Sequence, residues 1–461
     1  MAKNKKRQYH RPQTPKHSVY QKPVRVSQCM IVKNEEKNIE RALTWGKGFV
    51  FEQIVVDTGS TDRTVEIATS MGAKVYHFEW IDDFSAAKNY AISLASGDWI
   101  AFLDADEYFP EEDVKRLAMI LRNVQADPTL SKMKTSIRCP IANVDDAGKP
   151  FSVLKQDRIF RNALDEVYYT GRIHEYLYIE GEIMEAPELT VIHTGYSTSV
   201  YAETNKAERN VKMIREELDK DPEDPELMCY LADSLRVEGA LKNVPEAEGL
   251  YRKAIASTRK LSPQLRQNAL NFLIAHHYED KEFREENLAL CKQACAEFPG
   301  NPDFLYYYAR RLHDIGDFKT AWDNLLACEA IMKTQSLEIG SYVIKNAMLL
   351  FFQMVLVAEE LGNVPEVIRC ATLVLKEDKN QPLMLAPYIN AFKRPGYETP
   401  TDEVFAILSK LYDFNNVKDK ITVMRAANTA KDMELVKKVL ETFTQEELGW
   451  LTADMSTGSN A

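Results

Sequence analysis

The stretch DWIAFLDADEYF, Asp98–Phe109, runs through an apolar segment and then sets Asp104, Asp106 and Glu107 within four positions. Carboxylates this close repel one another and each resists desolvation, so the arrangement calls for a cation to offset it. Hard oxygen ligands suit Mg²⁺ or Mn²⁺, which keep coordination positions open for substrate phosphate oxygens. A cation held there would bind a diphosphate and stabilise it as a leaving group. A lone D-x-D also fills turns and caps helices, so the surrounding elements decide.

Those elements alternate. VRVSQCMIV (24–32), QIVVDT (53–58), AKVYHF (73–78) and WIAFLD (99–104) are short, apolar and partly β-branched, which predicts strands. Between them EEKNIERALTW, TDRTVEIATSM and DFSAAKNYAISLAS carry amphipathic helical spacing, the second closed by Gly72 and the third by Gly97. Strand-helix alternation predicts a mostly parallel sheet with helices on both faces, and ligands of such sheets sit at the carboxyl ends of the strands. The residues that follow the strands are polar: Lys33-Asn34-Glu35, Asp57-Thr58-Gly59-Ser60 and Asp104-Ala105-Asp106. Residues 110–200 read as a mixed α+β continuation, with a polar turn at DDAGKP and strand-like SVLKQDRIFRN, YLYIEGEI and LTVIHTGY.

From about residue 203 the pattern is helical throughout. One segment places Leu231, Ala232, Leu235, Gly239, Ala247, Tyr251 and Ala254, and a second places Tyr308, Ala309, Leu312, Gly316, Ala321, Leu325 and Cys328, at matching positions. This resembles the tetratricopeptide repeat, a stacking helix-turn-helix unit. A weaker third copy runs through VLVAEELGNVPEVIRCATLVL.

The chain of 461 residues is 45% hydrophobic and 28% charged, ordinary for a globular protein, and long enough for two cores. Its net charge is -11, yet residues 1–22 hold seven Lys and Arg and no acid, leaving 51 basic against 69 acidic residues, a net of -18. That balance argues against a nucleic-acid face. Residues 1–22 read as a disordered basic arm, and the end of the chain, 452–461, as a flexible tail. No apolar run reaches membrane-span length. The seven cysteines are scattered and form no C-x-x-C. With those two observations the expectation is a cytoplasmic protein.

Taken in order, MIVKNEE, VVDTGSTDRT, FSAAKNYAI and GDWIAFLDADE resemble the successive motifs of family-2 glycosyltransferases of the GT-A fold. RIFRN, GRIHE and VIHTGY, followed by the helical repeats, are similar to the sublancin-type peptide S-glycosyltransferases. The resemblance implies a GT-A domain over 23–202 and a tetratricopeptide-like domain over 203–451. It implies a nucleotide-diphosphate sugar donor, a UDP-sugar, bound with Mn²⁺ or Mg²⁺. By position, Asp57 meets the base, Val32 and Glu35 line base and ribose, Lys88 stands where arginine is usual, Asp104 reaches the ribose or bridging solvent, and Asp106 holds the metal. His193 matches a third metal ligand, or else is a buried structural histidine.

Inverting transfer needs a base to deprotonate the acceptor as it attacks. Glu175 is the first choice and His174 its rival; on a strand only one of the two would face the cleft. Arg158 and Arg161 either approach the diphosphate or salt-bridge an edge strand. The concave surface of a repeat array suits an extended peptide or protein acceptor and also offers a face for self-association. Two other readings stand beside this one: an enzyme extending a cell-surface polysaccharide or lipid-linked glycan, and a repeat scaffold with an inactive glycosyltransferase domain.

Overall fold

The computed structural model describes residues 23–133, 135–163, 166–195, 206–239, 242–334 and 341–449. The expected basic arm and flexible tail lie outside the described residues. The chain divides into two compact units, Met1–Thr204 and Asn205–Ala461.

The first unit is α/β. Its strands are β1 (Val26–Val32), β2 (Glu52–Asp57), β3 (Lys74–His77), β4 (Trp99–Phe102), β5 (Glu107–Tyr108), β6 (Thr135–Val144), β7 (Pro150–Arg161), β8 (Val167–Thr170), β9 (Tyr176–Ile179), β10 (Glu182–Glu185) and β11 (Val191–His193). Helices α1 (Ile39–Thr44), α2 (Thr64–Ser70), α3 (Phe84–Ser93) and α4 (Glu111–Ala126) lie among them. The main sheet runs β3-β2-β1-β4-β7-β6-β11-β5, with β10 also on β6, while β8 and β9 form a separate ribbon. The parallel sheet predicted from the sequence is the β3-β2-β1-β4 half. From there the sheet becomes mixed, because β7 joins β4 antiparallel and returns to β6 as a hairpin.

Burial explains the strand sequences. Every residue of β4 is buried, as is nearly all of β1, and so neither alternates: β4 is apolar throughout, and β1 is apolar except for Ser27 and Gln28, which are buried and hydrogen-bonded. Phe102, Phe109 and Phe160 are almost fully enclosed, each burial contributing about 1.5–3 kcal/mol.

Gly72 takes φ +89 and ends α2 as expected. Gly97 does something else: α3 already ends at Ser93, and a Cβ at Gly97 would sit 2.7 Å from Ser27 Oγ and 2.8 Å from Ser27 N. It is there so that two backbones can touch. The same corner buries Glu52, which accepts from Ser27 Oγ at 2.6 Å and Ser96 N at 2.7 Å, and pairs with Lys74 Nζ at 2.6 Å.

The second unit is helical. Among its described residues it runs α5 (Lys206–Lys220), α6 (Pro225–Gly239), α7 (Val244–Ala256), α8 (Pro263–His276), α9 (Arg284–Glu297), α10 (Pro302–Asp314), α11 (Phe318–Thr334), α12 (Tyr342–Lys345), α13 (Ala347–Glu360), α14 (Val364–Glu377), α15 (Pro382–Ala391), α16 (Thr401–Leu408), α17 (Val417–Thr429) and α18 (Met433–Leu440). The three repeat copies read from the sequence are the pairs α6/α7, α10/α11 and α13/α14. Leu231, Ala232, Leu235, Ala247, Tyr251 and Ala254 are buried, as are Ala309, Leu312, Ala321, Leu325 and Cys328. Gly316 and Gly362 take φ +84 and +66 at the turns of the second and third pairs, a conformation that costs a side chain energy. The pair α8/α9 escaped the pattern because its turn, HYEDKEF, has no glycine. No helix among the described residues is long and apolar enough to cross a membrane.

Burial opposes ionisation of Glu52, but its bonds to Lys74, Ser27 and Ser96 outweigh that and bring its pKa to about 2. The folded value lies below the ordinary 4.5, so the stabilisation is complete above that pH and is lost as pH falls from 4.5 towards 2. Lys74 is partly exposed, which screens the pair. We expect Glu52→Gln to lower the unfolding free energy by about 2 kcal/mol at neutral pH and to flatten the acid limb of a stability-pH curve, measured by urea denaturation.

Candidate active site at the carboxyl edge of the sheet

Two loops close one side of the edge. The loop after β1 and the loop after β2 are laced together: Thr58 N and Oγ1 donate to Val32 O at 2.9 and 3.0 Å, Asn34 N donates to Ser60 Oγ at 2.9 Å, and Thr61 N donates to Asn34 Oδ1 at 2.8 Å. Asn34 takes φ +57, a rare conformation for a side-chain-bearing residue and one that asparagine tolerates best. Glu35 starts α1, its carbonyl accepting from Asn38 N and Ile39 N. Asp57 is buried at the end of β2, accepting from Gly59 N and Ser60 N at 3.2 and 3.0 Å, with His77 Nδ1 3.3 Å away. The Asp62 carboxylate binds Thr64 and Glu36 N and so ties the two loops at the start of α2.

Helix α3 presents Ser85, Lys88 and Asn89 to the ribbon. Ser85 Oγ donates to Gly171 O at 2.6 Å, and Asn89 exchanges two 2.8 Å bonds with the Tyr169 backbone. Lys88, 3% exposed, places Nζ 2.7 Å from Glu175 Oε1 and 3.4 Å from Asp104 Oδ1, above the rings of Phe102 and Tyr169. From the opposite side β7 brings Arg158 Nη2 to 2.6 Å from Glu107 Oε1 and 3.5 Å from Asp104 Oδ2. Asp104 therefore lies between two buried cations while 39% of its side chain stays open.

Acids outnumber the permanent cations here. Asp104, Asp106, Glu107 and Glu175 face two permanent cations, Lys88 and Arg158. Burial opposes ionisation of Asp104, but Lys88, Arg158 and His193 hold its pKa at about 2. Burial also works against the charge on Lys88, and Asp104 and Glu175 reverse it, raising its pKa. Glu107 goes the other way: burial, then Asp104 and Asp106, raise its pKa in spite of Arg158. His193 moves upward too, burial opposing its charge but Asp106, Glu107 and Asp104 outweighing that, so the crowded acids of this edge draw protons onto both Glu107 and His193.

Asp106 and His193 meet there, Oδ2 to Nε2 at 3.4 Å. Strand register puts Glu107, His193, Asn143 and Ser152 in one row across β5, β11, β6 and β7. Asn143 Nδ2 donates to Ser152 Oγ at 2.8 Å, so its Oδ1 is left to accept from His193 Nδ1 at 2.6 Å. With the amide in that orientation Nδ1 carries a proton and Nε2 faces Asp106; the acids raise the ring's pKa, so Nε2 holds either a proton shared with Asp106 or, in its place, a metal ion. Gly195 keeps the approach open: a Cβ there would overlap Asp106 Oδ2 and lie 2.7 Å from His193 Nε2. A carboxylate oxygen and an imidazole nitrogen at this spacing suit neighbouring ligands of one small dication with bonds of about 2.1 Å. The residues present therefore fit an ion of the Mn²⁺ or Mg²⁺ class, with phosphate oxygens and water to fill its other positions.

His174 and Glu175 are not on a strand, as the sequence reading assumed, but in the turn between β8 and β9, where His174 takes φ +54. Alternation therefore does not choose between them. Burial lowers the His174 pKa to about 4, against a smaller pull from Glu175, so its ring is neutral at pH 7 and a weak proton acceptor. Arg161 stands apart from the cluster. It pairs with Trp99 at the start of β4, its guanidinium 4.3 Å from that ring, with Nη2 donating to Ser131 O. Arg158 lies one position beyond the Ile159–Ala101 pair, towards Asp104. Val32, Glu35 and Asp57 belong to the laced loops, whereas Lys88, Asp104, Arg158, Glu175, Asp106 and His193 form the charged floor. Asn143 and Ser152 carry no motif of their own, while Ser85 and Asn89 lie in FSAAKNYAI and Gly195 in VIHTGY without standing out there.

Residues 27–132 match the model of the family "Glycosyl transferase family 2". A TPR repeat-containing protein of Synechococcus elongatus is 38% identical over 228 residues, 47% of this chain and 54% of that protein. The SPbeta prophage-derived glycosyltransferase SunS of Bacillus subtilis is 28% identical over 240 residues, 51% of this chain and 54% of that protein. The chain thus spans about half the length of these curated relatives. Among solved structures, residues 1–349 of S. aureus TarS, crystallised with UDP-GlcNAc, are 18% identical with a TM-score of 0.30, covering 68% of this chain and 93% of that one.

Replacing Lys88 by Met would strand two carboxylates. We expect Lys88→Met to cost about 2–4 kcal/mol of stability, less than a fully dry pair would because Asp104 is partly open. Adding Glu175→Gln should recover about 1 kcal/mol of it in a urea-denaturation double-mutant cycle.

Proposed function

We propose that the protein is a metal-dependent, inverting glycosyltransferase that moves a hexose-type sugar from a nucleotide-diphosphate sugar, a UDP-sugar, to a peptide or protein side chain. The premise is the glycosyl transferase family 2 domain at residues 27–132. The observation that carries the reading is the meeting of Asp106 and His193 among crowded acids, which raise the His193 pKa, at the strand edge where such sheets bind their ligands.

In this reading Asp106 Oδ2 and His193 Nε2 would hold a Mn²⁺ or Mg²⁺ ion, which would supply positive charge for a departing diphosphate. Asn143 accepts from His193 Nδ1, so Nε2 is the nitrogen that would release its proton to solvent and take the ion. The laced loops with Val32, Glu35 and Asp57 form the wall for base and ribose, and Asp104 faces the donor from the floor. Lys88 and Arg158 hold Asp104 ionised, and Arg158 holds Glu107 in place, before any substrate arrives, which is preorganisation rather than rearrangement. Glu175, fixed by Lys88 at 2.7 Å, takes the acceptor proton. His174, with its pKa near 4, is the weaker candidate for that step and serves to shape the turn. The peptide acceptor rests on the resemblance to peptide S-glycosyltransferases and on the helical repeats that follow the domain.

A panel of sugar nucleotides with Mn²⁺, with and without EDTA, read by released UDP, tests the reaction. Release that needs the cation and disappears in Asp106→Ala supports the reading; unchanged release in that variant sinks it. Offering Ser, Thr and Cys peptides to Glu175→Gln tests the base. A thiol ionises far more readily than a hydroxyl, so transfer to Ser or Thr should fall about 10²–10⁴-fold while transfer to Cys only weakens.

A further inference from the structure

The helical unit contains, among the described residues, a set of three ligand-bearing side chains whose donor atoms converge: Glu248 on α7, His276 at the end of α8 and His277 just after it, one donor atom of each lying within 4.8 Å of the others. We propose that these three residues bind a borderline dication of the Zn²⁺ type and staple α7 to the end of α8, at a site separate from the one at the sheet edge. Two imidazoles and one carboxylate favour Zn²⁺ over the hard ions suited to an all-oxygen site.

The supporting shell is already built. His277 Nε2 is 2.9 Å from Glu248 Oε1, and on the far side of the ring Nδ1 is 2.9 Å from Asp280 Oδ2. A carboxylate behind one ring nitrogen is the arrangement that aims the other nitrogen at a metal. Both rings are clamped: His277 stacks on Phe283 at 4.1 Å and His276 on Phe272 at 5.2 Å. Arg252 Nε donates to Glu248 Oε1 at 2.8 Å and holds that carboxylate in place. His277 is 7% exposed, whereas His276 opens onto a cleft of about 440 Å³ beside Asp233, Arg236, Asn268, Asn271 and Phe272. The cleft gives an ion its entry and supplies water for its open positions. On binding, the ion takes the Nε2 lone pair of His277, and a proton carried there leaves to solvent.

The test uses the full-length chain carrying Asp106→Ala, so that the sheet-edge site is disabled whatever its function. After dialysis against chelator, Zn²⁺ is titrated by calorimetry and Co²⁺ by its visible absorption. The expected result is one equivalent bound, a higher melting temperature, and Co²⁺ bands of a low-coordinate nitrogen-oxygen site. Asp280→Asn should weaken binding about 10–100-fold, and His276→Ala, an exposed position that spares the core, should weaken it further. Absence of Zn²⁺ binding overturns the proposal. So does equal binding by His276→Ala and Glu248→Gln chains whose far-ultraviolet circular dichroism matches the parent.

Discussion

Negative charge crowded at the end of a buried strand is the constraint around which the first unit is arranged. Asp104 cannot sit at the end of β4 unless something balances it, and two cations from different elements do so: Lys88 from α3 and Arg158 from β7. Each of those cations is itself buried and would be costly alone, so each also takes a second carboxylate, Glu175 and Glu107 respectively. The outcome is an interlocked set in which no member is stable without its neighbours. Beside it Asp106 meets a titratable histidine rather than a fixed cation.

Holding that set requires elements distant in sequence to stay in fixed registry. Helix α3 does most of it from one face, through Ser85 to the turn, Lys88 to the acids and Asn89 to β8. The switch from parallel to antiparallel pairing at β4/β7 supplies the rest, since an antiparallel return is what lets a residue 54 positions beyond Asp104 lie beside it. The turn between β8 and β9 then drops Glu175 onto Lys88, the strained His174 backbone marking where the chain is forced.

Local features were legible in the sequence and long-range pairings were not. The first four strands, α1 to α3, the repeat pairs with Gly316 and Gly362, and the acidic strand end all announce themselves through periodicity and turn chemistry. Gly97 misled because a glycine after a helix looks the same whether it caps the helix or admits a neighbouring backbone. Arg158 and Arg161 are alike in sequence, and only the pairing of β7 with β4 separates a residue beside Asp104 from one stacked on Trp99. GRIHE looks like strand because it lies between two strands, yet the ribbon needs those residues to reverse direction. Asn143 had no signal at all, for its role depends on a histidine 50 residues later.

The row that joins Asn143 to Ser152 and His193 ties ring chemistry to strand pairing. A slip of one residue along β6 would offer Ala142 or Val144 to the imidazole, and either is mute as a hydrogen-bond acceptor through its side chain. Beyond the last paired positions, Val144 and Pro150, the turn at residues 145–149 is closed by its own bonds, Asp145 N donating to Lys149 O and the Asp145 carboxylate accepting from Ala147 N and Lys149 N. The ladder already absorbs an irregularity between Asn143 and Val144, on the tip side of the row, so a length change taken up there spares the pairing, whereas one that moved Asn143 itself would leave the histidine tautomer to chance.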